Sequence, residues 1–417
     1  MNRILTLVWL LLLFGCATSK KAPSDREPYV LMISFDGFRY DYVEKYHPPH
    51  FEEFIKKGVA AESMIPSFPS KTFPNHYSII TGRYPGNHGL VDNNFFAPDL
   101  GINYKMSNPE TVDNPDFYGG LPLWQLVRQN KKNSASFFWV GSETKIHGMY
   151  PNYWLKYDDG ISNEERIQTV IQWLTLPKEK RPRLVTLYFS LVDHTGHENG
   201  PESAATGQAV LEADRLLGRV LSELEKLELD IDVIVTSDHG MMTIEPDAEH
   251  LYAIENLVQG IDPTKVTYVN GGTLVHFYCT DEMAREELYD RLNRSQKHFT
   301  LYRREEIPAS WHYRNERVGD LILNMDPGYY MRSQKSIDVI LATNKTTGVH
   351  GYDPYATREM HAIFYARGPQ IAVGKRIPSF ENVNIYPFVA ALLGITDLPE
   401  IDGKLEVLQP CLRKPLK

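Results

Sequence analysis

An α/β architecture, a mainly parallel sheet with helices on both faces, is written into this 417-residue chain. Apolar runs of strand length alternate with amphipathic stretches of helix length. The runs are apolar nearly throughout, as in strands buried on both faces. They also end in polar residues of chemical use, Asp36, Asp193 and the pair Asp238–His239, where open α/β sheets bind their ligands.

The elements follow in order. "YVLMISFDG" (29–37) reads as a buried strand running into Asp-Gly, and "PPHFEEFIKKG" (48–58) as a helix with Pro at its start and Gly at its end. "LPLWQLVRQN" is helical and "SASFFWVG" returns as a strand. "ISNEERIQTVIQWLTL" is a long helix opened by Ser and Glu capping chemistry. "RLVTLYFSLVD" (183–193) predicts a strand reaching Asp193, 201–227 a helix, and "IDVIVTSDHG" (231–240) a third strand. "HAIFYARG" (361–368) is a fourth, followed by the helix "NIYPFVAALLGI". Residues 243–345 are less patterned, with strands of their own ("TYVNGGTLVHFY", "GDLILNM") and a helix ("DEMAREELYDRLNRS"), and read as an inserted subdomain.

The composition, 42% hydrophobic and 23% charged, is that of a globular chain with ample core. A formal charge of −9 argues against a general nucleic-acid binder, which needs a basic face. A nucleotide-sized substrate stays open, because a bound cation inverts the local field. At the N-terminus, Arg3 and the apolar run from Ile4 to Phe14 are too short for a spanning helix and fit a secretory signal over 1–16. "LFGC" is similar to a bacterial lipobox, with Cys16 as the lipidated residue, although Phe14 is bulkier than usual there. Residues 17–28 read as a flexible tether to a domain spanning 29–417. This places the protein in the bacterial cell envelope on a lipid anchor, and Ala17 leans towards the outer membrane. Of the 3 cysteines, Cys279 and Cys411 remain, either paired or as two buried thiols.

"FDG" with Asp36, "DHTGH" with Asp193 and His197, "SDHG" with Asp238 and His239, and "HGYD" with His350 are each weak alone. An Asp after a strand is often only a helix cap. Together they offer carboxylates and imidazoles without thiolate, a set suited to zinc. A catalytic zinc takes about three protein ligands, so the set fits two ions roughly 3.5–4 Å apart, as in in-line displacement at phosphorus. His47, His50, His147, His250, His298 and His312 lack such a context, and Asp353 reads either as a partner orienting an imidazole or, the favoured reading, as part of a turn.

In "SFPSKTFPNHYS" (67–78) a helix should begin near Pro74, placing Thr72 just before a helix N-terminus, where an anion is favoured. Read locally, Thr72 is a helix cap before it is a hydroxyl that a neighbouring metal would activate.

The segments "KTFPNHYSIITGRYPGNHGLVDN" (71–93), "FFWVGSETKIHGMYPNYWLKYDD", "EERIQTVIQWLTLPKEKRPRLVTLYFSLVDHTGH" and "VIVTSDHGM" resemble those of the nucleotide pyrophosphatase/phosphodiesterase family of the alkaline phosphatase superfamily. The resemblance covers nearly all of the chain after the tether and implies an alkaline-phosphatase-like core. It implies Thr72 as nucleophile and metal ligand, Asp36, Asp238 and His239 around the zinc that activates it, and Asp193, His197 and His350 around a second zinc. It also implies Asn93 as the amide that holds a phosphoryl oxygen, a neutral donor to developing charge. The implied reaction is a double displacement through a phospho-threonine diester, with net retention at phosphorus. Phe73 and Tyr157 match positions where nucleotide-selective members sandwich the base. The chain departs from the usual Trp-Pro-Gly-Ser-Asp with "WVGSE" (139–143), so Val140 and Glu143 bear on base preference.

Three functions follow: a zinc phosphodiesterase or pyrophosphatase releasing nucleoside 5′-monophosphates, a phosphodiesterase of phosphocholine, glycerophosphodiester or lysophospholipid substrates, and a non-catalytic binding lipoprotein. The completeness of the donor and nucleophile set argues against the last. "KTFPN" lacks the Cys or Ser context of a sulfatase. Arg83 is the nearest arginine to Asn93 and reads as structural, which argues against monoester hydrolysis.

Overall fold

A computed structural model describes residues 27–414. The signal segment, Cys16 and the tether up to residue 26 lie outside the described residues. An eight-stranded sheet runs through the centre, in the order Lys375–Ile377, Val59–Ala61, Phe364–Arg367, Ile231–Thr236, Tyr29–Phe35, Pro182–Phe189, Asn133–Phe137, Tyr153–Leu155. Tyr29–Phe35 pairs in parallel with both Pro182–Phe189 and Ile231–Thr236. Phe364–Arg367 is antiparallel to both of its neighbours, so the sheet is mostly rather than wholly parallel.

The unbroken apolar runs are explained by two cores, one on each face of the sheet. Val30, Met32, Leu184 and Ile234 point into one; Leu31, Ile33, Val185, Leu187, Val233 and Val235 point into the other. Because side chains alternate along a strand, a strand covered on both sides needs apolar residues at every position. The helix Ala204–Glu225 covers the second face with Val210, Ala213, Leu217, Val220 and Leu224, a stripe of helical period. Asn163–Leu174 joins it, with the Ser162 side chain accepting from the Glu165 N–H at its start. The helices Thr72–Thr81, Leu123–Gln129 and Ile385–Leu392 cover the first face.

Two local expectations change. The strand predicted to reach Asp193 stops at Phe189, and Asp193 rides the helix Leu191–Asn199 instead. "TYVNGGTLVHFY" is a hairpin, Val266–Asn270 and Leu274–Cys279, turning at Gly271 and Gly272. Together with Phe299–Arg303 and Leu321–Met325 it makes a separate four-stranded sheet with its own core against the helix Glu282–Arg294. Cys279 and Cys411 are both free thiols. Among the described residues no helix is long and apolar enough to cross a membrane.

The turn after the helix Thr72–Thr81 is locked by a buried histidine. His88 Nδ1 accepts the Leu90 N–H at 3.1 Å and its Nε2 faces Ser78 Oγ at 3.0 Å, so the ring is neutral. Burial is the main cause that pushes its pKa down to about 3. The unfolded chain takes up this proton below about pH 6.5, whereas the folded chain refuses it until about pH 3. Its stabilisation is therefore complete above the unfolded pKa and is lost as pH falls between the two values. We expect denaturant unfolding of His88→Gln to show a shallower loss of stability than the parent between pH 6.5 and pH 4, a window bounded by about 6.5 for free histidine; an unchanged slope would remove His88 from the acid response.

Candidate active site

The site lies beyond the carboxyl ends of the three central parallel strands. Asp36 follows Tyr29–Phe35 and Asp238 follows Ile231–Thr236. Between Asp36 and Asp193 the chain comes so close that only glycine fits. Gly37 has φ +67°, and a Cβ there would lie 2.8 Å from both Cα and Cβ of Asp193. The Asp193 N–H donates to the Asp36 carbonyl at 3.0 Å, and the Gly37 N–H donates to Asp238 Oδ1 at 3.2 Å. His197 sits one turn after Asp193 on the same helix, and their side chains approach to 3.4 Å. His350 arrives from elsewhere: the short strand Thr347–Val349 pairs with Met242–Ile244, just after His239, and the rings of His239 and His350 stack 3.6 Å apart.

The three imidazoles share one arrangement. Nδ1 of His197 lies 2.7 Å from the Gly348 carbonyl, Nδ1 of His350 2.8 Å from that of Ser70, and Nδ1 of His239 2.8 Å from that of Gly240. A carbonyl only accepts, so each Nδ1 carries a proton and each Nε2 is the nitrogen left to face the site. Those Nε2 atoms converge. Nε2 of His350 and Nε2 of His197 face each other at 3.2 Å, and His239 Nε2 lies 3.1 Å from Asp238 Oδ2 and 3.5 Å from Asp36 Oδ1. Burial first, then the neighbouring His239 and His197, hold His350 well below the ordinary imidazole range.

The carboxylates repeat the pattern. Asp36 Oδ1, Asp193 Oδ1 and Asp238 Oδ2 are buried without a hydrogen-bond partner. Burial, followed by the charges of Asp238 and Asp193, pushes Asp36 well above the usual carboxylate range, although the Tyr188 hydroxyl donates to its other oxygen at 2.5 Å. Burial also acts to raise Asp238, but His239 and His76 outweigh it and hold that carboxyl low. Unpaired buried oxygens facing imidazole nitrogens are what a bound cation satisfies. Donor atoms of Asp193, His197 and His350 all lie within 4.8 Å of one another, as do those of Asp36, Asp193 and His239. The groups overlap, so the donors form one continuous basin rather than two separate triads. A third such group is Asp36, His76 and Asp238. His76 Nδ1, however, points to the Thr72 carbonyl at 3.1 Å and Asp238 Oδ2 at 3.3 Å, and its Nε2 bonds Ser34 Oγ at 2.8 Å. It braces Asp238 and has no free lone pair for a metal in this arrangement.

Thr72 is the first residue of the helix Thr72–Thr81, with Lys71 in the capping position. Its hydroxyl makes no capping bond; Oγ1 lies 3.1 Å from His239 Nε2, at the edge of the basin. Asn93 Oδ1 accepts the Phe73 N–H at 2.9 Å, which leaves the amide NH₂ free beside Thr72. A cavity of ≈ 290 Å³ opens from Asp36, Thr72 and Asp193, with Phe73, Phe138, Val140, Glu143 and Tyr157 among its lining. Glu143 accepts the Tyr157 N–H at 2.7 Å and so shapes the rim. A larger polar cleft of ≈ 650 Å³ around Lys145 and Arg317 holds none of these groups.

None of His47, His50, His147, His250, His298 and His312 joins a donor cluster among the described residues. Asp353 accepts the Tyr355 N–H at 2.9 Å and closes a turn. His76 and Tyr188 escape a reading of the sequence. His76 carries a faint signal, four residues after Thr72 on one helix face. Tyr188 carries none, because its approach to Asp36 depends on strand pairing.

A family model described as type I phosphodiesterase / nucleotide pyrophosphatase matches residues 30–353. The chain is 31% identical to human ectonucleotide pyrophosphatase/phosphodiesterase family member 5, over 95% of this chain and 81% of that protein. It is 33% identical to a venom phosphodiesterase of Crotalus durissus collilineatus over 96% of its own length, but spans only 48% of that protein. A solved structure of the murine family member 5, an inactive variant in complex with AMP, superposes with a TM-score of 0.85 at 32% identity, covering 93% of this chain and 100% of that one.

Stripping divalent cations should lower the melting temperature by several degrees, and adding Zn²⁺ back should restore it. The raised Asp36 carboxyl binds its proton more tightly than usual, so proton and cation compete and the gain from Zn²⁺ should shrink as pH falls. Differential scanning calorimetry at acidic and alkaline pH checks this; a melting temperature indifferent to cation would contradict it.

Proposed function

The chain belongs to the type I phosphodiesterase / nucleotide pyrophosphatase family, and we propose that it hydrolyses nucleotide phosphodiester or pyrophosphate bonds to release nucleoside 5′-monophosphates. The observation that carries this reading is the Thr72 hydroxyl, 3.1 Å from His239 Nε2, between an unsatisfied donor basin and an aromatic-lined cavity. The all-oxygen-and-nitrogen donor set fits two zinc ions, with Thr72, Asp36, Asp238 and His239 about one and Asp193, His197 and His350 about the other. When bound, such cations lower the pKa of a coordinated hydroxyl and neutralise charge on the oxygens around phosphorus.

The protein groups act as follows. The Thr72 hydroxyl gives its proton to solvent as Oγ1 attacks phosphorus in line; the bond from phosphorus to the leaving-group oxygen breaks on the opposite side, that oxygen departing with the electron pair and taking a proton from solvent, which gives a phospho-threonine diester. The Asn93 NH₂ donates to a non-bridging oxygen as charge develops there. The Tyr188 hydroxyl holds Asp36 by its hydrogen bond, and the His76 ring packs against Asp238 at 3.3 Å. Water then attacks from the vacated side and loses a proton to solvent, the P–Oγ1 bond breaks, Thr72 recovers its proton and the nucleoside 5′-monophosphate leaves; two inversions leave the configuration at phosphorus unchanged. Phe73 and Tyr157 offer flat faces to a base, a contact worth about 1–3 kcal/mol. The same aromatic lining would also accept a choline cation, so a phosphocholine ester is the comparison that matters. On sequence grounds the lipobox at Cys16 anchors the mature protein to the envelope; Cys16→Ser should abolish incorporation of labelled palmitate.

Initial rates on the nitrophenyl esters of thymidine monophosphate, phosphocholine and phosphate test the reading. The nucleotide ester should be preferred, chelator should suppress it, and Thr72→Ala should lower kcat by on the order of a thousandfold or more. Tyr157→Ala should raise KM for the nucleotide ester by about fivefold or more, matching roughly 1 kcal/mol of lost stacking. Activity that survives both chelator and Thr72→Ala would overturn the mechanism. A preference for the phosphocholine ester would overturn the substrate class.

A further inference from the structure

Behind the nucleophile lies a buried charged cluster that the mechanism above does not use. Lys71 and Asp92 immediately precede Thr72 and Asn93 in sequence, and both are buried, as is His276. Asp92 Oδ1 accepts the Asn93 N–H at 2.6 Å and lies 3.4 Å from the Lys71 ammonium. Asp92 Oδ2 lies 3.0 Å from His276 Nε2. The other ring nitrogen, Nδ1, lies 2.9 Å from the Val318 carbonyl. An ionised carboxylate and a carbonyl only accept, so both ring nitrogens carry protons and His276 is an imidazolium. Burial acts to raise the Asp92 carboxyl, but Lys71 and His276 together hold it below the usual range. One carboxylate is thus clasped by two cations, without solvent to loosen the grip.

The anchors of this clasp come from the four-stranded sheet, not from the central one. His276 lies on Leu274–Cys279, facing away from the Glu282–Arg294 helix, whereas its neighbours Val275 and Phe277 pack into the core beneath that helix. Lys71 also donates to the Gly271 carbonyl at 2.5 Å, in the turn of the same hairpin. Gly351, next to His350, is pressed against the same place: a Cβ on it would meet Thr273 Oγ1 at 2.2 Å and Lys71 Cε at 2.6 Å. The side being held is the reacting one. Asn93 has its backbone N–H fixed by Asp92 and its side-chain oxygen fixed by Phe73, so the direction of its NH₂ is set by these two bonds.

We propose that Asp92, clasped by His276 and Lys71, is a positioning residue that sets Asn93 against Thr72, which makes the four-stranded sheet part of the catalytic apparatus. The proposal rests on the phosphoryl-transfer reading above. A donor that stabilises developing charge must sit at hydrogen-bond distance from it, and a misplacement of about 1 Å can cost on the order of a hundredfold in rate. A merely cohesive cluster would affect stability and leave turnover alone.

The test compares wild type, His276→Ala, His276→Gln and Asp92→Asn on the nitrophenyl ester of thymidine monophosphate, each confirmed folded by its melting curve. His276→Ala should lower kcat by about ten- to a hundredfold with KM within about threefold. His276→Gln, whose amide can donate to the same carboxylate oxygen, should recover part of that loss. Asp92→Asn keeps the size and the acceptor for Asn93 but loses the clasp, and it should fall with His276→Ala; it also decides the matter if His276→Ala does not fold. Unchanged kcat in a folded His276→Ala or Asp92→Asn, or equal losses in Ala and Gln, would overturn the proposal. Hydrogen exchange gives a readout independent of turnover. The Asn93 amide should exchange faster in His276→Ala while Tyr29–Phe35 stays protected, and unaltered exchange at Asn93 would equally overturn it. If wild type fails to cleave the ester, the function proposed above falls, and the exchange comparison alone decides the positioning role.

Discussion

Three buried, unpartnered carboxylate oxygens and three imidazole nitrogens face one another beyond the ends of the central strands, and the rest of the molecule is arranged to hold them there. Two like charges about 4 Å apart repel by roughly 4 kcal/mol even at an effective dielectric of about 20. Asp36 Oδ1, Asp193 Oδ1 and Asp238 Oδ2 find no partner in the protein, so the protein does not relieve that repulsion by itself. Such a site persists only if the surrounding structure is rigid enough to forbid the side chains from turning away.

Rigidity comes from the sheet. Tyr29–Phe35 is flanked on both sides by parallel partners and buried on both faces, so its end is among the least mobile points in the chain. The backbone bonds from Asp193 to Asp36 and from Gly37 to Asp238 then lock the carboxylates to one another. Each imidazole is pinned through Nδ1 to a main-chain carbonyl, which fixes both ring orientation and tautomer. Stability drawn from two cores offsets the cost of a repulsive site.

The additions outside the sheet decide how the site meets a substrate. The short ribbon formed by Thr347–Val349 and Met242–Ile244 carries His350 across the opening. The segment after Asn133–Phe137 contributes Phe138, Val140 and Glu143 to the cavity wall, and Tyr157 follows Tyr153–Leu155 at the edge of the same sheet. The nucleophile helix adds Thr72 and Phe73 in adjacent positions, so reacting atom and cavity wall move together. The family likeness extends over most of the chain, additions included, and not over the sheet alone.

Much of this was legible in the amino-acid sequence, because strand burial and turn chemistry are local. Unbroken apolar runs announced strands covered on both faces, and their polar ends marked Asp36, Asp238 and His239. The composition of the donor set pointed to a metal with nitrogen and oxygen ligands. What the sequence could not carry depends on which segments become neighbours. "LYFSLVD" is apolar up to Asp193 and predicts a strand that reaches it, yet the chain turns into a helix two residues after Phe189, and that turn aligns Asp193 with His197. Thr72 was ambiguous between a cap and a reacting hydroxyl until the fold set it 3.1 Å from His239, residues apart by more than a third of the chain. The brace from Tyr188, the support from His76 and the clasp of Asp92 by His276 all arise from strand pairing and sheet docking, where register rather than residue type decides who meets whom. Sequence alone thus determined which chemical groups the site contains; tertiary structure decided which of them face a common point, because only close packing brings like charges within reach of each other.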